Sequence, residues 1–180
     1  MDPLSIYNIS FTGLSLGRHL YHFDIDDTFF ECFEKAEVRE ASVNVEMSLE
    51  KTNTMLVLDF DISGSVKLVC DRCSEEYWQE LKSSDSLFVK FGDSHYEQNE
   101  NVIIISQNET HFDVSQYIYE FAHLNLPVKR LHPGGKSKKD NCDPVVLKKL
   151  KELLVETDSS GNPKSSATDH WEALRKLKNN

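Results

Sequence analysis

Two thiols separated by two residues, Cys70-Asp71-Arg72-Cys73, are the most chemically loaded feature of the sequence. Both can reach one metal ion, because the intervening turn folds back beneath it, but a lone C-x-x-C supplies only half of a tetrahedral site. His132 and Cys142 are the best candidates for the missing ligands. They flank a loop containing Pro133, Gly134 and Gly135 that can fold to bring them together. A Cys70, Cys73, His132 and Cys142 set would hold zinc; the competing reading is a pair of reduced thiols on a turn beside a surface histidine. Thioredoxin-like redox chemistry needs the pair at a helix N-terminus after a parallel strand. Here a strand pattern continues on both sides. Cys32, between Phe30 and Phe33, reads as a buried core thiol. His19, His22, His95, His111, His123 and His170 read as surface or internally satisfied positions.

A second constellation is acidic. Asp24-Ile25-Asp26-Asp27-Thr28 fits the D-x-D-x-T nucleophile loop of haloacid-dehalogenase-like phosphatases, and Gly92-Asp93 with Glu97 mimics their later metal-binding motif. In that chemistry one aspartate attacks phosphorus while other carboxylates hold Mg²⁺. Such sites sit at the ends of parallel strands joined by helices. The pattern between these two motifs reads instead as hairpins, with too little chain for several βα units. The alternative is an acidic helix N-terminus capped by Asp26 or Asp27. A Mg-dependent phosphatase is therefore the weaker reading, and no catalytic residue is assigned.

The formal net charge of -10 conceals an asymmetry. Residues 1–128 hold 8 Lys/Arg against 23 Asp/Glu, whereas residues 129–151 hold 8 against 2. An acidic body attracts basic proteins, and a compact basic segment can still touch phosphate. Lys129, Arg130, Lys136, Lys138, Lys139, Lys148, Lys149 and Lys151 are the candidates for RNA contact. The plain alternative is a solvated charged face. The longest purely aliphatic run is Val102 to Ile105, far below the roughly 20 residues a membrane span requires. The opening MDPLSIYNIS lacks the basic and apolar regions of a secretory signal, so a cytoplasmic protein with reduced thiols is expected. No small-molecule substrate is indicated.

The elements that must position these groups follow from hydropathy. Val43, Val45, Met47 and Leu49 alternate with polar residues, and Leu56, Leu58, Phe60 and Ile62 alternate after a turn at Lys51-Thr52-Asn53. Ser63-Gly64 suggests a bend or bulge before Val66, Leu68 and Cys70. Further strands are expected at Tyr77 to Leu81, at Leu87 to Phe91 and at Val102 to Ile105, all paired antiparallel. Asp113 and Gln116 form a capping-box pattern for a helix running through His123. Asp143-Pro144 opens another carrying Leu147, Leu150 and Leu154. A short earlier helix is expected around Asp26 to Phe33. The expected fold is α+β: an antiparallel sheet or partial barrel of about five or six strands, followed by two or three helices. The expected domain spans residues 1–155, a flexible linker 156–168, and a terminal helix 169–180 bears Trp171, Leu174 and Leu177.

Taken in order along the chain, these motifs resemble the YceD family of bacteria and chloroplasts. The resemblance is carried by Val69-Cys70-Asp71-Arg72-Cys73 with the acid-aromatic stretch Glu75 to Trp78. It continues through the helix opened by Asp113-Val114, then Leu124, Leu126, Pro127, Val128, His132 and Cys142, and ends at Trp171, Leu174 and Leu177. It covers about residues 36–180, and the first 35 only loosely. The resemblance implies a non-enzymatic factor in ribosome biogenesis, needed for synthesis, processing or stability of 23S rRNA of the large subunit. Genes of the family often neighbour that of a large-subunit ribosomal protein. Many relatives carry a richer cysteine cluster where this chain has only His132 and Cys142, a departure that implies either no metal binding here or a changed ligand set. The expected partners are large-subunit rRNA or its precursor and a basic ribosomal protein. A protein-only adaptor without RNA contact is the alternative.

Overall fold

A computed structural model describes residues 3–34, 37–38, 40–92, 101–133 and 142–153. Met1–Pro133 is one compact unit and Gly134–Asn180 a second. The first unit opens with a 3-10 turn, Pro3–Tyr7, and strands β1 (Asn8–Ser10) and β2 (Gly17–Ile25). Helix α1 (Asp27–Glu31) precedes three long strands: β3 (Ala41–Lys51), β4 (Met55–Val69) and β5 (Glu76–Phe91). Then come β6 (Val102–Ile105), β7 (His111–Asp113) and helix α2 (Ser115–Leu124). In the second unit, helix α3 (Pro144–Leu153) is described.

The sheet has five strands in the order β2-β3-β4-β5-β6, and a small ribbon pairs β1 with β7. It is an open, mostly antiparallel sheet with helices, an α+β arrangement rather than a closed barrel. The expectation that every strand pairs antiparallel is corrected at one edge, where β6 runs parallel to β5. Residues 93–100, which precede that strand, lie outside the described residues.

Period-two alternation drives the long strands. Val45, Leu49, Leu56, Leu58 and Val66 are at most 1% exposed, while Asn44, Glu46, Glu50 and Asp61 face solvent. Register places Met47 opposite Phe60 and Leu49 opposite Leu58, so each buried side chain meets another on the same face. Helix α2 covers that face, with Ile118 fully buried and the Phe121 ring 5.3 Å from that of Phe60.

Two expected breaks are absent. At Ser63-Gly64 the register runs on unbroken through β4. Gly64, at φ +154°, lets the strands approach so closely that a Cβ there would stand 2.3 Å from the Ser42 carbonyl oxygen. The serine-rich middle of β5 likewise stays in the ladder. Ser86 Oγ donates to Asp59 at 2.6 Å, and the Ser84 hydroxyl donates to Asp61.

Capping corrects a detail of α2. Asp113 accepts from the Ser115 N–H at 2.8 Å, but Gln116 turns to Glu120 at 2.8 Å, so no reciprocal capping box forms. At α1, Asp26 accepts from the Thr28 N–H and hydroxyl, and the hydroxyl bond holds its carboxyl below the usual range. Cys32 corrects another expectation. It is exposed, because α1 ends there and turns Phe29 and Phe30 inward instead. Its thiol donates to the Thr28 carbonyl at 3.2 Å. The proposed linker 156–168, the terminal helix 169–180 and Leu154 lie outside the described residues.

Candidate metal centre

The Cys70–Cys73 turn links β4 to β5. Cys70 N–H donates to the Glu75 carbonyl at 2.8 Å and Ser74 N–H to the Cys70 carbonyl at 2.9 Å, closing the loop tightly. Ser74 takes a left-handed conformation at φ 61°, a cost a non-glycine residue bears only where its surroundings enforce the turn. Both thiols are turned away from water, Cys70 at 1% exposure and Cys73 at 5%.

The segment after α2 is stitched to this turn from both directions. Asp71 N–H donates to the Arg130 carbonyl at 2.7 Å, and Arg130 N–H donates to the Asp71 carboxylate at 2.8 Å. The Arg130 guanidinium then pairs with Glu37. These contacts deliver His132, whose ring lies 5.1 Å from that of Tyr77 and whose Nδ1 is 3.6 Å from Cys73 Sγ. Two ligands of one zinc, with Zn–S about 2.3 Å and Zn–N about 2.0 Å, stand roughly 3.5 Å apart in tetrahedral geometry. The observed spacing fits.

Within the first unit, the ligand atoms of Cys70, Cys73 and His132 all lie within 4.8 Å of one another. They are three of the four ligands expected from the sequence; the fourth, Cys142, belongs to the second unit. Cys142 is itself buried at 5% and immediately precedes Asp143, whose carboxylate caps α3 by accepting from the Val145 N–H at 2.8 Å. Burial opposes ionisation of Cys70, but backbone N–H groups of Arg72, Cys73 and His132, with the Cys73 thiol, outweigh it and bring Cys70 down to about 6. A thiolate so supported is the form in which cysteine binds metal. Two sulfurs and an imidazole make a soft donor set of the kind that zinc takes, with room for a further ligand.

The cationic candidates are placed less uniformly. Lys129 is exposed beyond α2, and Lys148, Lys149 and Lys151 are exposed along α3. Arg130 is committed to Asp71 and Glu37. Lys136, Lys138 and Lys139 lie outside the described residues. Asp71 and Glu37 take structural parts that the sequence did not single out. Asp71 was legible only as the x of C-x-x-C.

The acidic motif sits in an antiparallel setting. Asp24 lies near the end of β2 beside β3, where Asn44 Nδ2 donates to it at 3.0 Å, and Asp26 is consumed as the cap of α1. A cleft of about 430 Å³ lies beside them, floored by Gly64 and Ser42. Asp93 and Glu97 are outside the described residues. The parallel βα units of a phosphatase core are absent among the described residues. Nor is any helix among them long and apolar enough to cross a membrane.

An α+β protein carrying two buried cysteines on a strand-connecting turn, with a histidine brought against them, is the class these features define. Residues 58–178 match the family model of the large ribosomal RNA subunit accumulation protein YceD, and the chain belongs to that family. No curated protein and no solved structure matches the chain.

Proposed function

We propose that this protein is a non-enzymatic factor in ribosome biogenesis that supports synthesis, processing or stability of 23S rRNA. The observation that carries this reading is the family match across residues 58–178, a span that contains Cys70, Cys73, His132 and Cys142. Cys70, Cys73, His132 and Cys142 would hold one zinc ion, which when bound supplies a structural crosslink and no reaction step. The residues around it do the positioning: Asp71 and Arg130 clamp the segment bearing His132, and Ser74 closes the turn.

RNA contact falls to the lysines from Lys129 to Lys151, since the Arg130 guanidinium is paired with Glu37. Phosphate contacts of this kind orient a protein on RNA without reading sequence. The acidic body, 23 Asp/Glu against 8 Lys/Arg in residues 1–128, favours a basic ribosomal protein as a second partner. Few phosphates are then neutralised, and log K against log salt should have a shallow slope, about -2 to -4.

A crosslinked pull-down from growing cells, sequencing RNA and identifying protein together, tests the reading. Recovery of large-subunit rRNA precursor is expected. Replacing Lys136, Lys138 and Lys139 by Glu should reduce that recovery and leave capture of the protein partner intact. If 23S rRNA still accumulates normally in cells lacking the protein, the reading fails. Normal rRNA recovery with the triple variant turns it into that of a protein-only adaptor.

A further inference from the structure

The two edges of the sheet differ. On one side the last residues of β5, Phe88 to Phe91, pair with β6, and Asn125 Nδ2 donates to Asp85. On the other side β2 pairs with β3 alone, and among the described residues no backbone bond reaches its outer edge. Natural edge strands are blunted by charged side chains, lysine above all, by proline, by bulges or by short length. Strand β2, GRHLYHFDI, spans nine residues in unbroken register and contains no lysine or proline. Leu20 in its middle is 68% exposed. These residues also precede the matched span 58–178, so nothing in the family match accounts for them.

We propose that β2 is a dimerisation edge, on which a second copy of this chain pairs β2 to β2, antiparallel, about a two-fold axis at Tyr21. The argument is the strand's own symmetry. Tyr21 is its midpoint, so the register that pairs all nine residues of both copies is the one centred there. In that register Arg18 of each copy stands opposite Asp24 of the other, giving two opposite-charge pairs related by the axis. Leu20 faces His22, and Tyr21 faces its own counterpart. Arg18, Leu20, His22 and Asp24 all lie on the exposed side of the strand, so each pair shares one face of the joined sheet. On the other face Tyr21 is half-buried and stacks on Phe23, with ring planes 4° apart and centroids 6.4 Å apart. Two copies would extend that aromatic row across the axis. An isologous contact of this kind closes on itself and ends at a dimer.

Analytical ultracentrifugation of the full chain over a dilution series tests the proposal. The wild type should dimerise reversibly. Arg18→Asp sets a new carboxylate against Asp24, and Asp24→Arg sets a new guanidinium against Arg18, each twice per dimer. Each variant should therefore weaken self-association about tenfold or more. In a mixture of the two variants, one chain is acidic at both positions and the other basic at both. Every cross-axis pair between unlike chains is then opposite in charge, and a heterodimer of near wild-type affinity should form. Unchanged circular dichroism establishes that both variants fold. A wild type that stays monomeric throughout overturns the proposal. So does a dimer indifferent to both substitutions, or a mixture that associates no better than its components.

Discussion

Leu58 and Cys70 are almost equally hidden from water, at 0% and 1% exposure, and belong to the same run of chain. Their surroundings differ completely. Leu58 lies opposite Leu49 on one neighbouring strand and Leu87 on the other, so its worth is apolar area and packing. Cys70 is ringed by backbone N–H groups of Arg72, Cys73 and His132, which favour a charge at a place where burial alone would forbid one. Burial therefore does not separate core from site; the partner atoms do. The sheet face spreads its stability over many interchangeable contacts. The Cys70–Cys73 turn and His132 concentrate their integrity in three side chains and the two bonds between Asp71 and Arg130.

The largest effect should come from the packed face. Phe60→Ala removes a ring that meets Met47 in the ladder and Phe121 of α2. It should cost about 3–5 kcal/mol in chemical denaturation. The fraction that remains folded should still hold its full complement of metal. Metal loss from folded Phe60→Ala protein would show that the two regions are one cooperative unit.

Cys70→Ser probes the other region. Reduced, dialysed wild-type protein should carry about one zinc per chain, and the variant close to none. Stability should fall by about 2–3 kcal/mol at metal concentrations near one hundred times Kd. The amide protection of β3 and β4 should survive, because their burial does not involve the thiols. Wild-type protein that is metal-free and melts unchanged in the presence of added zinc would reduce the cluster to a group of buried thiols.

The same contrast explains which parts were legible beforehand. Alternation of large apolar and polar side chains marks β3 and β4 because one face meets α2 and the other meets water. Gly64 misled because an absent side chain reads equally as a break or as a close approach, and only the Ser42 carbonyl decides. The serines of β5 suggested a gap, yet their hydroxyls bond to Asp59 and Asp61 across the ladder. Cys32 followed its aromatic neighbours in sequence, but a single helical turn points adjacent residues in different directions. The ligand types of the cluster were readable because few side chains bind soft metals. The clamp between Asp71 and Arg130 was not, because backbone groups carry no sequence signature.

The clamp supplies a finer comparison, between two changes at one contact. Asp71→Ala removes the acceptor of the Arg130 N–H while leaving the bond from the Asp71 N–H to the Arg130 carbonyl in place. A charge-assisted hydrogen bond is lost and the His132 segment is held from one side only. Metal affinity should drop about tenfold, equivalent to about 1.4 kcal/mol. Arg130→Ala retains both backbone bonds and deletes only the pair with Glu37, whose side chain is 52% exposed. A partly exposed ion pair contributes about 0–1 kcal/mol. Metal affinity in Arg130→Ala should therefore stay within about fivefold of wild type, as read by competition with a chromogenic chelator. If the arginine change is the more damaging of the two, the guanidinium and not the backbone clamp positions His132. The cluster would then depend on surface electrostatics and weaken in high salt, which the backbone clamp would not.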